Sequence, residues 1–448
     1  MLKRSLTLLL ITGFALVAMF TLTSSNAATA ATAMAAQGRT LDFVTSFAGQ
    51  ELTAFQKVVD AFTQKTGIKV NVEPVSRNMA TVLGARVASG NPPDLANLPN
   101  PGLLDTFAQA GNLVSLDWFK QTAVFKEQPK AFIDLGTLNG TLYGIFPVAS
   151  LKSLVWYDPK EFAKFGYTIP STFGELLQLQ DQMVKDGNTP WCIGLESGAA
   201  SGWPGTDWME DFMLRSAGPK VYDQWVAHDI PWTDPRVREV FQLFGLFAND
   251  GMAFGGRKGI LSTNFGDSVA GLNTTPPECM MHRQATFILS FILKAHPKLV
   301  AGKDFNIFPF PSFNSGPAPL EGGGDVFVAF KDSPEMHQLI EYFASVEAQE
   351  LWAKVNPGRL AVNKDVPASA YPDPVTAKAA KILSSAEVFR FDGSDLMPAA
   401  VGSGSFWSAV LDFVQGSKPL TTILCNLEAS ADSAYKSGAA TGPVGNCK

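Results

Sequence analysis

An alternation of strand and helix patterns near the beginning of the chain restricts its fold more than any other feature. Residues 41–47 (LDFVTSF) are typical of a buried strand. Apolar side chains between Phe55 and Phe62 then recur at i, i+3, i+4 and i+7, which indicates an amphipathic helix closed by Gly67. The alternation continues with a second strand, a second helix and a third strand at residues 68–75, 78–90 and 92–98. This order predicts an α/β fold with a parallel sheet, in which ligands bind outside the carboxyl ends of the strands.

Helix-start signals recur further along the chain. Thr172 and Glu175 form a capping box, and Ser333 followed by a proline is a typical helix beginning. Asp207, with Glu210 three residues later, is predicted to cap another helix. There is no internal repeat and no long linker, so composition alone marks no domain boundary.

Composition and charge narrow the range of partners. The 448 residues are enough for two or three domains, and 46% hydrophobic with 17% charged residues support a folded core. The formal net charge is -6 and no basic stripe is present, which argues against a nucleic-acid partner.

The first 36 residues have the pattern of a secretory signal peptide. Lys3 and Arg4 precede an apolar stretch at residues 6–22, and small residues at 24–36 offer cleavage positions between 27 and 36. The alternative is a membrane anchor, because about 17 apolar residues can just span a bilayer. We expect the signal peptide, and therefore an exported, soluble mature protein.

Export makes the four cysteines candidates for disulfide bonds. They are Cys192, Cys279, Cys425 and Cys447. Three connectivities are possible; pairing Cys425 with Cys447 would tie down the C-terminal tail and leave Cys192 with Cys279, and free buried thiols are the alternative. We expect no metal site, because there is no C-x-x-C motif and the four histidines are scattered along the sequence.

The motifs of common enzymes are missing from the chain. There is no G-x-S-x-G, H-E-x-x-H, Walker A or G-x-G-x-x-G motif, and the glycine-rich residues 321–328 (EGGGDVFV) are best explained as a turn entering a strand. We therefore expect no catalysis and no cofactor. A secreted glycosidase stays open as an alternative, because two suitably spaced carboxylates cannot be identified from sequence spacing.

Two tryptophans lie in the glycine- and proline-containing stretch GWPGTDW at residues 202–208. A sugar site needs flat aromatic surfaces for C–H faces and planar polar side chains for hydroxyl groups. Trp203, Asp207 and Trp208 provide both in one short stretch. For either ring, and most of all for Trp208, a place in the core is the alternative.

Several longer segments resemble a known family. These segments are FTQKTGIKVNVEPV followed by VASGNPPDLANL, then DGMAFGG, FASVEAQELWAKVNPGRLAVNKDV and LMPAAVGSGSFWSAVLDFVQG. They resemble the solute-binding proteins of ABC sugar importers of the maltose-binding protein class. Within that class, GWPGTDWMEDFMLR, CMMHRQATFI and GGGDVFVAF look closest to α-glucoside- and glucosylglycerol-binding members. The resemblance extends from about residue 40 to residue 436.

This resemblance implies a two-lobed periplasmic-binding-protein fold with discontinuous lobes and a hinge of several strands. Lobe one would comprise residues 40–149 plus 322–364, and lobe two residues 150–321 plus 365–448. The hinge crossings would lie near Ile145 and Gly323. Ligand would bind in the cleft between the lobes, which close around it.

The resemblance also implies site residues. Polar contacts are expected from loops at the cleft, and aromatic contacts from the positions where the family stacks rings on sugar; "QATF" at residues 284–287 has no tryptophan, which puts one of these platforms in doubt. The full set is Gln50, Glu51, Asn97, Asn100, Trp203, Asp207, Trp208, Gln284, Phe287, Gly323, Gly324, Asp325, Arg359, Met397 and Trp407.

The expected function is the extracytoplasmic substrate-binding subunit of an ABC importer. Its ligand would be an α-glucoside, a disaccharide or a glucosylglycerol-type solute, and its macromolecular partners would be membrane permease subunits. The lipobox of Gram-positive relatives is absent, so we expect a soluble periplasmic protein. We also expect a monomer. Besides the glycosidase, a binding protein for a non-sugar solute such as an oligopeptide or a polyamine is a further alternative.

Overall fold

The computed structural model describes residues 40–75, 78–313, 318–435 and Cys447. The predicted signal peptide, residues 1–36, lies outside these residues. Within the described part, no helix is both long enough and apolar enough to cross a membrane.

The described chain contains both strands and helices, and the two alternate at its beginning, from residue 41 to residue 109. The strands are β1 (Leu41–Thr45), β2 (Val70–Pro74), β3 (Leu95–Leu98), β4 (Thr137–Leu138), β5 (Thr141–Leu142), β6 (Gly144–Leu151), β7 (Leu154–Tyr157), β8 (Trp191–Cys192), β9 (Met281–Arg283), β10 (Asn306–Pro309), β11 (Leu320–Ala329), β12 (Leu360–Ala361) and β13 (Phe389–Phe391). The α-helices are α1 (Gly49–Thr66), α2 (Met79–Ala88), α3 (Pro101–Gln109), α4 (Lys130–Leu135), α5 (Pro159–Phe165), α6 (Phe173–Lys185), α7 (Trp203–Ser216), α8 (Pro219–Val226), α9 (Pro235–Gly245), α10 (Gly256–Ser262), α11 (Leu289–Ala295), α12 (Pro334–Ala344), α13 (Val346–Val355), α14 (Pro374–Ser384), α15 (Gly393–Leu396), α16 (Trp407–Gln415) and α17 (Leu420–Ala434).

The larger sheet contains the parallel unit that the sequence predicts. Its order is β12-β6-β11-β3-β1-β2, with β13 added beside β11. β1 pairs in parallel with both β2 and β3, whereas β11 runs antiparallel to β3 and β6. The apolar stripe of α1 is buried, and Gly67 closes this helix with φ 77°. The α/β prediction is therefore confirmed, with antiparallel strands added to the parallel unit.

A second sheet of four strands, in the order β10-β7-β9-β8, forms the other centre of the fold. Its largest apolar cluster packs rings from α6, α7 and α9 together, among them Phe173, Trp208 and Phe241. Separate apolar clusters pack on the larger sheet, for example around Phe43 and around Leu104. Each sheet thus has its own core.

β6 and β11 connect these two parts of the molecule. They pair with each other over most of their length, with Gly323 opposite Ser150. β6 leads through Lys152 directly into β7 of the smaller sheet, and the first residues of β11 pair with β13. The predicted boundaries near residues 149/150 and 321/322 fall on these strands, and the lobe assignment itself stays a prediction.

Two of the three predicted helix beginnings are confirmed. Thr172 and Glu175 form the reciprocal capping box of α6, and Ser333 accepts the backbone N–H of Met336 at 3.1 Å. The prediction for Asp207 is wrong. α7 begins at Trp203, because Pro204 suits the first turn of a helix and Gly202, just before it, takes a left-handed φ of 108° that favours glycine.

Both disulfide bonds exist in one of the three connectivities that the sequence allowed. Cys192 at the end of β8 pairs with Cys279, with a Cα–Cα distance of 5.4 Å. Cys425 on α17 pairs with Cys447, with a Cα–Cα distance of 5.5 Å. The described residues contain no free cysteine.

We predict that replacing both Cys192 and Cys279 by alanine lowers the free energy of unfolding by about 2–5 kcal/mol. The bond restricts the unfolded chain over a sequence separation of 87 residues. The matched control is the double replacement of Cys425 and Cys447, which are separated by 22 residues and should cost roughly 1 kcal/mol less in loop entropy. Urea unfolding without reductant measures both, and wild-type stability of the Cys192/Cys279 variant would contradict the prediction.

Candidate ligand-binding site

A cavity of about 590 Å³ lies beside the crossing strands β6 and β11, at the carboxyl ends of β1 and β3. This is the edge at which a parallel α/β sheet is expected to bind ligands. Nine of the predicted site residues are among those that line it: Glu51, Asn100, Trp203, Phe287, Gly323, Gly324, Asp325, Arg359 and Trp407.

Arg359 organises the polar side of the cavity. Its Nε and Nη2 donate to Glu51 Oε1 at 2.9 and 2.6 Å, and its Nη1 donates to Asp325 Oδ2 at 3.1 Å. Asn97 Nδ2 donates to the other oxygen of the same carboxylate, Asp325 Oδ1, at 3.3 Å. We call Arg359, Glu51, Asp325 and Asn97 the Arg359 cluster. In it one guanidinium is shared by two carboxylates, and the cluster presents planar, hydrogen-bonding groups to the cavity.

The environment of Asp325 changes its acidity. Burial raises its pKa to about 6, although the guanidinium of Arg359 opposes the rise and the nearby Glu51 adds to it. Asp325 therefore gains a proton only a little below neutral pH.

Lys152 occupies the junction between β6 and β7 on another side of the cavity. Its Nζ donates to Asp207 Oδ1 at 3.0 Å and to Asp392. Burial alone would lower the pKa of Lys152, but Asp207 and Asp392 outweigh it and hold the pKa well above its usual value. Burial raises the pKa of Asp207 to about 7, with Lys152 opposing that rise. We call these three residues the Lys152 cluster.

An aromatic wall faces these polar groups. It consists of Trp203, Phe265, Phe287 and Phe291, all of which line the cavity. The ring centroid of Trp203 lies 5.1 Å from that of Phe265 and 6.0 Å from that of Phe287. Lys152 Nζ lies 5.7 Å from the Trp203 ring, and the Arg359 guanidinium lies 5.7 Å from the Phe287 ring. The aromatic wall is thus joined to both polar clusters.

Trp407 at the beginning of α16 adds a further ring to the cavity. Its Nε1 is buried and has no hydrogen-bond partner among the described residues. The backbone of Gly202 approaches it so closely that a Cβ on this glycine would collide with the carbonyl group of Trp407. The two predicted tryptophans, Trp203 and Trp407, are therefore positioned by one backbone contact.

The other predicted residues do not line the cavity, each for a physical reason. Gln50 is exposed in the first turn of α1. Trp208 is 2% exposed, with its ring centroid 5.1 Å from that of Trp191 in the core of the smaller sheet. Gln284 is buried, and its side-chain oxygen accepts the backbone N–H of Ala285.

Asn97, Asp207 and Met397 lie just behind the cavity surface. Asn97 and Asp207 support the Arg359 and Lys152 clusters, and Met397 is buried against the same apolar cluster as Trp208. Asn100 lines the cavity but also accepts the backbone N–H of Leu103 at 2.9 Å as the cap of α3.

Sequence reasoning missed several lining residues. Lys152 is the one charged residue in the largely apolar residues 144–157, and a lysine between two adjacent buried strands was a usable signal. Phe265, Phe291, Asp392 and Asp395 also line the cavity, and no sequence pattern distinguishes them from other phenylalanines and aspartates.

We predict that Arg359→Ala lowers the free energy of unfolding by about 3–5 kcal/mol at pH 7.5, because Glu51 and Asp325 lose their buried counter-charge. The loss should shrink at pH 5. Asp325 has a pKa of about 6, so below that pH it is protonated and needs a positive partner less. Urea unfolding at the two pH values measures the effect.

Arg236→Ala is the matched control, since Arg236 pairs with Asp234 at the surface and its removal should cost less than about 1 kcal/mol. An Arg359→Ala loss that stayed equal at both pH values would show that Asp325 ionisation does not depend on Arg359.

Comparison with known proteins identifies the family. The family described as bacterial extracellular solute-binding protein matches residues 48–350. The osmoprotective compounds-binding protein GgtB of Synechocystis sp. is 44% identical over 85% of this chain and 90% of its own length. The alpha-glucosides-binding periplasmic protein AglE of Rhizobium meliloti is 38% identical over 85% of this chain and 84% of its own length.

Solved structures show the fold. A chitin oligosaccharide binding protein superposes with a TM-score of 0.77 at 20% identity, covering 90% of this chain and 100% of its own. RafE in complex with raffinose gives 0.70 at 18% identity, covering 89% and 100%. The chain has the α/β, two-lobed periplasmic-binding-protein fold that its sequence predicted, and it belongs to the family of bacterial extracellular solute-binding proteins.

Proposed function

We propose that this protein is the substrate-binding subunit of an ABC importer and binds an α-glucoside, a disaccharide or a glucosylglycerol-type solute. The observation that supports this most is the pairing of an aromatic wall with planar, hydrogen-bonding groups in one cavity. C–H faces of a sugar stack on rings, and its hydroxyl groups need donors and acceptors at the edges. By name, GgtB binds osmoprotective compounds and AglE binds alpha-glucosides.

The charge state of the cavity favours a neutral ligand. Glu51 and Asp325 are paired with Arg359, and Asp392 is paired with Lys152. Burial raises the pKa of Asp395 well above its usual value, which favours the neutral form of this acid. A polyamine would have to compete with Arg359 and Lys152, because Glu51, Asp325 and Asp392 each already contact one of these cations.

Ligand would be held by both lobes at once. In the lobe assignment that the sequence predicts, the Arg359 cluster belongs mainly to lobe one, and Trp203 and Trp407 belong to lobe two. Contacts that exist only when both sides meet the ligand stabilise the closed state selectively. The permease would then distinguish the closed, loaded form from the open form.

No chemistry is required for this role, and we propose a non-enzymatic, monomeric protein of the periplasm. The glycosidase alternative receives no support from the comparisons, since the matched family and the relatives named above are binding proteins. Glu51 and Asp325, two carboxylates that line the cavity, share one arginine as their structural partner.

Calorimetric titration with maltose, sucrose, trehalose and glucosylglycerol tests the proposal. We expect 1:1 binding of at least one of these compounds, with no product detected chromatographically after prolonged incubation. Hydrolysis would support the glycosidase instead, and binding of spermidine or an oligopeptide in place of all four would remove the sugar assignment.

We predict that Trp407→Ala weakens binding of the preferred sugar tenfold or more, because an aromatic stack in a desolvated cavity is worth more than about 1 kcal/mol. Trp118→Ala is the matched control. Trp118 is also partly buried, but its ring stacks on His337 at 3.9 Å, outside the cavity. Unchanged affinity in a folded Trp407→Ala protein would remove Trp407 from the site.

A further inference from the structure

Three potential metal ligands meet on the C-terminal helix, outside the cavity. Glu428 and Asp432 are four residues apart on α17 and so lie on the same face of the helix. His228, which follows α8, reaches that face, and one ligand atom from each residue lies within 4.8 Å of the others. None of the three lines the sugar cavity.

Glu428 is buried with one carboxylate oxygen unsatisfied. The residue is 2% exposed, and its Oε2 accepts the backbone N–H of Trp232 at 2.6 Å. Its Oε1 has no hydrogen-bond partner among the described residues, and it lies 3.4 Å from His228 Nε2. A buried carboxylate oxygen without a partner is costly, so a cation at this position would remove a real penalty.

The separation between His228 and Glu428 fits two ligands of one metal better than a direct bond. A charge-assisted N–H···O bond is about 2.7–2.9 Å long, and here Nε2 lies 3.4 Å from each carboxylate oxygen. Two ligands at about 2.0–2.2 Å from a tetrahedral zinc ion are about 3.3–3.6 Å apart.

We propose that His228 Nε2, Glu428 Oε1 and the carboxylate of Asp432 bind a zinc ion, with water as the fourth ligand. One imidazole and two carboxylates form a donor set that suits Zn²⁺ better than Ca²⁺ or Mg²⁺, which prefer oxygen alone. The two carboxylates neutralise the ion. Asp432 is exposed, so the ion can enter from solvent.

The ion would act as a cross-link within the fold. His228 and α17 are 200 residues apart in sequence, and the Cys425–Cys447 disulfide anchors the same helix. Zinc would tie α17 to the end of α8 and stabilise the folded state by its binding free energy. The scattered histidines of the sequence argued against a metal site, and the fold supplies the carboxylates that sequence spacing does not reveal.

Calorimetry with Zn²⁺ alone on chelator-treated protein tests the proposal. We expect one ion bound per chain, a higher midpoint of thermal unfolding with Zn²⁺, and at least tenfold weaker binding of Ca²⁺ and Mg²⁺. Asp432→Asn, at an exposed position, should weaken Zn²⁺ binding tenfold or more, and His228→Ala should abolish it. His337→Ala is the control, because this partly exposed histidine contacts Asp332 and the ring of Trp118, not the proposed metal ligands, and its removal should leave Zn²⁺ affinity unchanged.

The outcomes separate clearly. Absence of Zn²⁺ binding, or binding that Asp432→Asn leaves unchanged, would overturn the proposal and leave His228 and Glu428 as an ordinary ion pair. If His228→Ala does not fold, Asp432→Asn decides alone. Sugar affinity is measured in parallel and should be equal in the wild type and in Asp432→Asn. The zinc proposal and the sugar proposal can therefore fail independently of each other.

Discussion

The buried ammonium group of Lys152 is the interaction on which the arrangement of the cavity depends. It lies where β6 passes into β7, and it holds Asp207 on α7 and Asp392 at the beginning of α15. A second cation, Arg283 on β9, pairs with Asp211 at 2.7 Å and with Glu321 at 3.0 Å. Removing one partner of such a buried pair typically costs about 3–5 kcal/mol, because the remaining charge is left in a medium of low polarity. The β6–β7 junction, α7 and the beginning of α15 are therefore held together by buried charges. These charges stabilise the fold only when every partner is present.

This arrangement explains how a cavity can be rich in charged groups and still suit a neutral solute. Glu51, Asp325 and Asp392 each already have a cation beside them, so these carboxylates offer hydrogen-bonding edges whose charge is partly offset. Glu210 extends the same principle: it accepts the backbone N–H groups of Gly393 and Ser394, and so fixes the segment that carries Asp392 and Asp395. Fixed polar edges of this kind recognise hydroxyl groups without first having to become ordered.

The sequence was informative where the physical signal is local. The stripe of α1, the capping box at Thr172 and the cap at Ser333 depend on residues within one or two turns, and all three exist. The resemblance placed Trp203, Arg359 and Trp407 at the cavity. Sequence reasoning failed for Asp207, because the helix is capped five residues earlier at the left-handed Gly202, with Pro204 in its first turn. The carboxylate of Asp207 is held by the distant Lys152 instead.

Residues whose position depends on distant contacts could not be assigned locally. Trp208 follows Asp207 directly, yet it packs against Trp191, whereas Trp203, five residues earlier, lines the cavity. A helix beginning at Trp203 separates the two rings by five residues and turns them to different sides. Had the helix begun at Asp207, Trp203 would lie outside it and the two rings would have no fixed relation. The start of α7 therefore decides which of these tryptophans belongs to the core and which to the cavity.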